Sequence, residues 1–343
     1  MRSLGWTRLG WPALRLLLTV AIVLGVFGLF LWALGKDPIQ AYRDTFRLNL
    51  LNPRGLAGVL ARMAPLLLTA LGVALPFRSG LINVGAEGQF LMGALAGTWA
   101  ALNLPALPWG LHLALVLLAG MGGGALWAAI PGALRALGWV NETIATLLLN
   151  YLAPLVVGYF VFGPWRAPEL AFYPQTPEFP ASARLPLWFG TRLHLGFFLG
   201  LFFLLAYAYL VSRSRWGLEL RAVGGNPEAA RRLGLPVERW ILAAMVLGGA
   251  LAGLAGITEV AAVHARLKLD ISPGYGFMGF LVNWLAFAHP VGILVMSFLL
   301  AFIASSGFTL QITQRLPYAA VNVLMALILF TVLAKPLARE VRR

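Results

Sequence analysis

The sequence predicts an all-α, polytopic membrane protein of about ten transmembrane helices, one of them short or half-spanning. Three observations predict it. Hydrophobic residues make up 60% of the 343 residues and charged residues only 11%, whereas soluble domains run near 45–50% and about 25%. The apolar residues gather into windows of about 20, the length a helix needs to cross about 30 Å of hydrocarbon. Cysteine is absent, which excludes a disulfide scaffold and Cys-ligated zinc. The whole of 1–343 reads as a single transmembrane domain.

In order, the windows fall at 13–35, 55–77, 80–103, 111–134, 143–163, 193–212, 240–262, 275–288, 290–306 and 318–334. The first is expected to be an uncleaved anchor: its apolar stretch at 16–34 is too long for a signal-peptide core, and no small-x-small cleavage site follows. The eighth has 14 residues, about 21 Å of helix, and so predicts a half-span or a strongly buried segment. Ten crossings put both termini on one side. That side carries 15 of the 26 Lys and Arg, and the positive-inside rule makes it cytoplasmic. The net charge of +14 belongs beside the spans, where basic residues meet anionic head groups. Membrane lipid is therefore an expected partner and nucleic acid is not.

Two loops stand out. The outer loop 164–192 contains six prolines, which predicts a stiff, mostly non-helical connection. The inner loop 213–239 is the largest cytoplasmic one, with six arginines and three glutamates. Within it Asn226, Pro227, Glu228, Ala229, Ala230, Arg231, Arg232, Leu233 and Gly234 spell a short capped helix. Asn226 is the N-cap, Pro227 the first helical residue, Glu228 lies in the first turn, and Gly234 stops it.

Small residues four apart recur at Gly93/Gly97, Gly120/Gly124, Gly196/Gly200 and Gly249/Gly253, a spacing that lets membrane helices approach closely. Polar residues inside spans are rarer. Asn83 and Glu87, four apart with Gln89 beside them, would share one helix face, and an intramembrane carboxylate normally meets a cavity or a partner. The glycines around Glu87 fit either a solute pathway at a broken helix or a carboxylate capping a neighbouring helix. Asn150-Tyr151 and Asn283-Trp284 repeat an amide-aromatic pair, suited to a sugar or base or to helix–helix hydrogen bonding. Tyr275 and Phe277 open the short span, where glycines let a half-helix N-terminus point inward. Glu259, at the end of the seventh span, reads as part of a solvated outer cluster.

No phosphate loop, no metal-ligand cluster and no nucleophile–base set is present, and the four histidines are scattered. The chain is thus not expected to be an enzyme or to hold a cofactor or metal. Energy for uphill transport must enter through a partner or an ion gradient. A secondary transporter relaying ions through Glu87 and Glu259 is one alternative.

Several stretches together resemble the permease subunits of bacterial ABC importers in the ribose and branched-chain amino-acid permease family. They are GLINVGAEGQF at 80–90, NETIATLLLNYLAP at 141–154, RAVGGNPEAARRLG at 221–234, GGALAGLAGI at 248–257, GYGF at 274–277 and HPVGI at 289–293. The likeness extends to the nucleoside and simple-sugar group that works with basic-membrane-lipoprotein-type binding proteins. Where that pattern commonly has Asp after GYGF, this chain has Met278. The resemblance implies alternating-access import of a nucleoside or simple sugar across the bacterial inner membrane. It implies a second, different permease, two cytoplasmic ATP-binding subunits that bind the ATP, and an extracellular solute-binding lipoprotein. It further implies that 226–234 docks on the ATPase. From the residues themselves, Asn83, Glu87, Gln89, Asn150, Tyr151, Tyr275, Phe277, Asn283 and Trp284 are the candidates for the solute path.

Overall fold

The computed structural model describes residues 22, 24–105, 107–169, 173–188, 190–316 and 323. The tenth predicted span, part of the first, and the terminal charges behind the predicted orientation lie outside the described residues. Twelve helices are named here: α1 (Leu24–Ala33), α2 (Pro38–Phe46), α3 (Pro53–Arg78), α4 (Ala86–Asn103), α5 (Trp109–Ala136), α6 (Glu142–Phe162), α7 (Leu195–Arg213), α8 (Arg215–Gly225), α9 (Pro227–Arg232), α10 (Val237–Glu259), α11 (Tyr275–Ala286) and α12 (Pro290–Gln314). No β-strand occurs among the described residues.

Six helices are long and apolar enough to cross a membrane: α3, α5, α6, α7, α12, and α10 with the π-helical turn that extends it to His264. They coincide with the predicted windows at 55–77, 111–134, 143–163, 193–212, 290–306 and 240–262. Two other windows differ. The window at 80–103 becomes helical only at Ala86, after a turn at Gly80 with φ +78°. The short α11 has 12 residues, about 18 Å at 1.5 Å per residue. That is too little to cross about 30 Å of hydrocarbon.

The chain divides into two compact units, one drawn from Met1–Val59 and Phe302–Arg343, the other from Leu60–Ala301. In the first, Asn49 lies in the π turn after α2 and bonds the Thr309 hydroxyl of α12 at 2.9 Å. In the second, α10 is the core: every residue from Gly248 to Glu259 is buried. Such a helix must be small and apolar all round, as this one is.

Three of the four small-residue pairs meet on α10. Gly93 of α4 and Gly124 of α5 lie backbone-to-backbone against Gly253, while Gly97 and Gly120 receive the Ile257 side chain. Gly196 and Gly200 of α7 instead face His194, Thr258 and Leu67. Gly253→Val would drive its side chain into the Gly120 carbonyl and to within 2.9 Å of the Gly124 Cα. Overpacking of this kind costs about 1–3 kcal/mol or more. The yield of monodisperse protein in detergent should collapse; a wild-type yield would contradict the seam.

Among its described residues the outer loop is non-helical apart from one 3₁₀ turn, Ala181–Ala183, in keeping with its prolines. It is stitched to the segment after α10 by three backbone bonds, Thr176 N to Leu267 O at 3.0 Å, Phe179 N to Ala265 O at 2.8 Å and Leu185 N to Ala261 O at 3.1 Å. Glu178 adds ion pairs to Arg184 at 2.6 Å and Arg266 at 3.2 Å. Glu259, at the end of α10, is buried, 3.9 Å from His264 Nε2, so the expected solvated cluster is corrected.

Candidate functional site

The chain leaves α3 at Arg78, turns at Gly80, and runs without helix through 81–85 before α4 begins. Asn83 therefore does not share a helix face with Glu87. Non-helical backbone inside a membrane protein exposes N–H and C=O groups that must find partners. Here α6 supplies them. Glu142 Oε1 accepts from Ile82 N at 3.2 Å, and Thr143 Oγ1 donates to Ile82 O at 3.4 Å. Thr146 Oγ1 accepts from Val84 N at 3.3 Å, and Asn150 Nδ2 donates to Val84 O at 2.8 Å. Asn150 Oδ1 then accepts from Gly88 N at 2.8 Å, in the first turn of α4. Glu142, Thr146 and Asn150 are four apart, so one face of α6 reads the broken segment like a ladder. Glu142 is held in turn by Arg135 of α5, 3.0 Å away.

Within the segment, Asn83 Oδ1 accepts from Gly85 N at 2.9 Å. The Asn83 and Gln89 amides also donate to each other, both at 3.1 Å. Glu87 reaches across to α11, where its Oε2 accepts from Gly276 N at 2.7 Å. A Cβ at residue 276 would overlap the Glu87 backbone nitrogen; only glycine permits this approach. Two helix N-termini converge here, and a carboxylate between them complements the positive end of α11. Glu87 thus caps a neighbouring helix. Thr69 Oγ1 of α3 donates to Tyr275 O at 3.1 Å, and the Tyr275 ring lies 5.9 Å from that of Phe90.

The structure thus unites Asn83, Glu87, Gln89, Asn150 and Tyr275. Further along α11, Asn283 is fully buried with neither amide atom hydrogen-bonded, and Trp284 packs on Phe77 and Phe280. The side chains of Tyr151 and Phe277, 71% and 47% exposed, lie outside this buried set. In Asn150-Tyr151 the neighbours sit on adjacent positions about 100° apart on a helix, so a buried Asn150 sends the ring elsewhere. Sequence reasoning missed Glu142 and Thr146. The available signal was the polar spacing of four on α6.

In the same unit, α9 forms as its capping residues dictate. Asn226 Oδ1 accepts from Ala229 N at 3.0 Å, Pro227 is the first helical residue, and Gly234 has φ +83°. Ala230 is buried among Leu220, Val223, Val237, Trp240 and Ala244. Asn226, Pro227, Glu228, Ala229, Arg231 and Gly234 are all exposed. Glu228 pairs with Arg232 at 2.5 Å and Arg231 with Glu238 at 2.6 Å. Beside them Leu233 is 81% exposed, an apolar side chain in an arginine-rich loop that composition did not single out.

Compared with known proteins, residues 55–333 match the family described as branched-chain amino acid transport system / permease component. The chain belongs to this family. It is 35% identical to the glucose ABC transporter permease TsgB13 of Haloferax volcanii over 98% of this chain and 90% of that protein. With the nucleoside ABC transporter permease NupB of Lactococcus lactis the identity is 32%, over 92% and 90%. With the guanosine ABC transporter permease NupP of Bacillus subtilis it is 33%, over 79% and 78%. No solved structure matches. The protein is a multi-pass permease subunit of an ABC importer, with ATP hydrolysis assigned to separate subunits.

In this permease the amide of Asn150 is a structural clamp, which makes it testable apart from transport. Asn150→Leu strands Val84 O and Gly88 N, each unsatisfied group costing about 1–3 kcal/mol. Thermal unfolding in detergent should shift down by several degrees. An unchanged transition would mean the broken segment is held by something other than α6.

Proposed function

We propose that the permease carries a neutral solute, a nucleoside or a simple sugar, by alternating access through the region around the broken start of α4. One observation carries this reading. Both buried carboxylates of the region are engaged, Glu87 by the α11 N-terminus and Glu142 by Ile82 N and Arg135, and the buried side chains between them, Asn83, Gln89, Asn150 and Thr69, are uncharged amides and a hydroxyl. Zwitterionic amino acids call for an opposite charge at each end. Hydroxyls and heterocycles call for amides and rings. The relatives named for glucose, nucleoside and guanosine transport support the same class.

The remaining parts of the proposal follow the ABC architecture. The single domain 1–343 crosses the membrane with about ten helices, one of them short, both termini are cytoplasmic, and the membrane is the bacterial inner one. The permease pairs with a second, different permease, two cytoplasmic ATP-binding subunits and an extracellular binding lipoprotein. It holds no cofactor or metal itself, since ATP sits on its partners. Residues 226–234 dock on the ATPase through the exposed face of α9, with Ala230 anchoring the opposite face.

Co-purification from the native membrane tests this. The expected set is an ATP-binding subunit, a second permease and a lipoprotein whose bound ligand is an uncharged nucleoside or sugar. A binding protein loaded with an amino acid would overturn the solute class.

A further inference from the structure

We propose that Arg78, Gly80 and Gly224 form the joint that carries motion of α9 to the broken segment and to α11. The proposal rests on the reading of α9 as the ATPase-facing helix. Gly224 lies in the last turn of α8, two residues before the Asn226 cap. A Cβ added there would stand 2.5 Å from Arg78 O and 2.9 Å from both Gly80 N and Ser79 C. A Cβ on Gly80 would stand 3.0 Å from Gly224 O. Two backbones therefore touch with no side chain between them, and close-packed contacts of this kind transmit displacement instead of absorbing it.

What pushes on this contact is a rigid piece. Leu220 and Val223 of α8, Ala230 of α9 and Val237, Trp240 and Ala244 of α10 share one buried cluster. Trp216 and Trp240 pack with their ring centroids 4.9 Å apart. A force on α9 thus reaches the end of α8.

Two things are attached on the far side. Gly80 opens directly into 81–85, whose backbone is held by Glu142, Thr146 and Asn150. The Arg78 side chain reaches the turn between α11 and α12, where Nη2 donates to Ala288 O at 2.7 Å and Nε bonds the Tyr207 hydroxyl at 3.2 Å. Tyr207 of α7 donates to the same carbonyl at 2.8 Å. That turn holds Phe287 and Ala288 at φ +49° and +53°, left-handed values that ordinary residues keep only under constraint. The interior end of α11 is gripped by Glu87, so residues 78–87 hold the short helix at both ends. Moving residues 78–80 loads both grips at once. Arg78, Gly80 and Gly224 act through these groups and are positioning residues.

The test uses the whole transporter in proteoliposomes with its partner subunits, and reads ATP hydrolysed per solute imported. Gly224→Ala should raise that ratio at least about fivefold, within the usual span of coupling effects, while ATPase co-purification stays at the wild-type level. Gly225→Ala is the internal control, because a Cβ there meets nothing within 4 Å, and it should leave the ratio unchanged. Arg78→Gln, which adds no bulk, should also raise the ratio and carries the test if Gly224→Ala lowers assembly. An unchanged ratio in Gly224→Ala or in Arg78→Gln overturns the joint, as does an equal rise in Gly225→Ala. Glu228→Lys separates the two claims. Normal coupling in that variant overturns the reading of α9, whereas uncoupling there with normal coupling in Gly224→Ala overturns the joint alone.

Discussion

Glu228→Lys in the assembled transporter should abolish solute uptake while the permease itself folds and inserts normally. The side chain of Glu228 is 71% exposed and its pair with Arg232 lies on the surface. Exposed pairs of this kind contribute about 0–1 kcal/mol to stability. The loss in the fold is therefore small. At an interface the balance differs: a lysine there joins Arg231 and Arg232 in an all-positive face, and removing one partner of a desolvated charge pair costs about 2–5 kcal/mol. That is roughly a 30-fold or greater loss of docking at 1.4 kcal/mol per tenfold. Gly234→Pro should act alike, because proline cannot adopt the φ of +83° found there. Uptake, ATP hydrolysis and ATPase co-purification should be measured together. Wild-type coupling in both variants would remove α9 from the ATPase contact.

The second large effect concerns Glu87, and here two substitutions must diverge. Glu87→Ala leaves Gly276 N without its 2.7 Å partner, a cost of about 1–3 kcal/mol for an unsatisfied buried donor. It also removes the charge that complements the α11 N-terminus, worth about 0.3–1 kcal/mol and up to about 2 when partly buried. Thermal unfolding should fall by several degrees and uptake with it. Glu87→Gln keeps an acceptor oxygen in the same place and loses only the charge term. Uptake should survive at a reduced level and should not respond to a protonophore at constant ATP. An ion-relay carrier makes the opposite forecast, with uptake abolished by glutamine and stopped by the protonophore. Stability unchanged in Glu87→Ala would contradict the capping role.

What could be read from the chain was whatever local chemistry decides. Six windows form helices long and apolar enough to cross a membrane, because 20 apolar residues have one low-energy solution in lipid. The helix at 227–232 formed because Asn226, Pro227 and Gly234 each dictate their own backbone angle. The seam around Gly253 was foreshadowed by glycines four apart. The break at 81–85 was not legible in the same way. Leu81, Ile82 and Val84 extend the apolar window, and the groups that hold them out of a helix come from α6, about 60 positions away in sequence. Asn83 was placed on a helix for that reason. Residue type likewise says nothing about which face turns inward, and Tyr151 and Phe277 prove exposed beside buried neighbours. Glu259 reads as solvated because its polar local sequence says nothing of what packs on it, and it proves buried. Leu233 was invisible as a leucine in a chain of many, and became notable only once it stood exposed among arginines.

The account depends on one division of labour: this subunit supplies the path for a neutral solute, and ATP hydrolysed elsewhere drives it. Uptake of radiolabelled nucleoside or sugar into proteoliposomes measures that directly. Vesicles holding the permease, its partner permease, the ATP-binding subunits and the binding protein should accumulate solute only when ATP is inside, and should do so equally with or without a protonophore. Accumulation by this chain alone, driven by an imposed ion gradient and indifferent to ATP, would contradict the account.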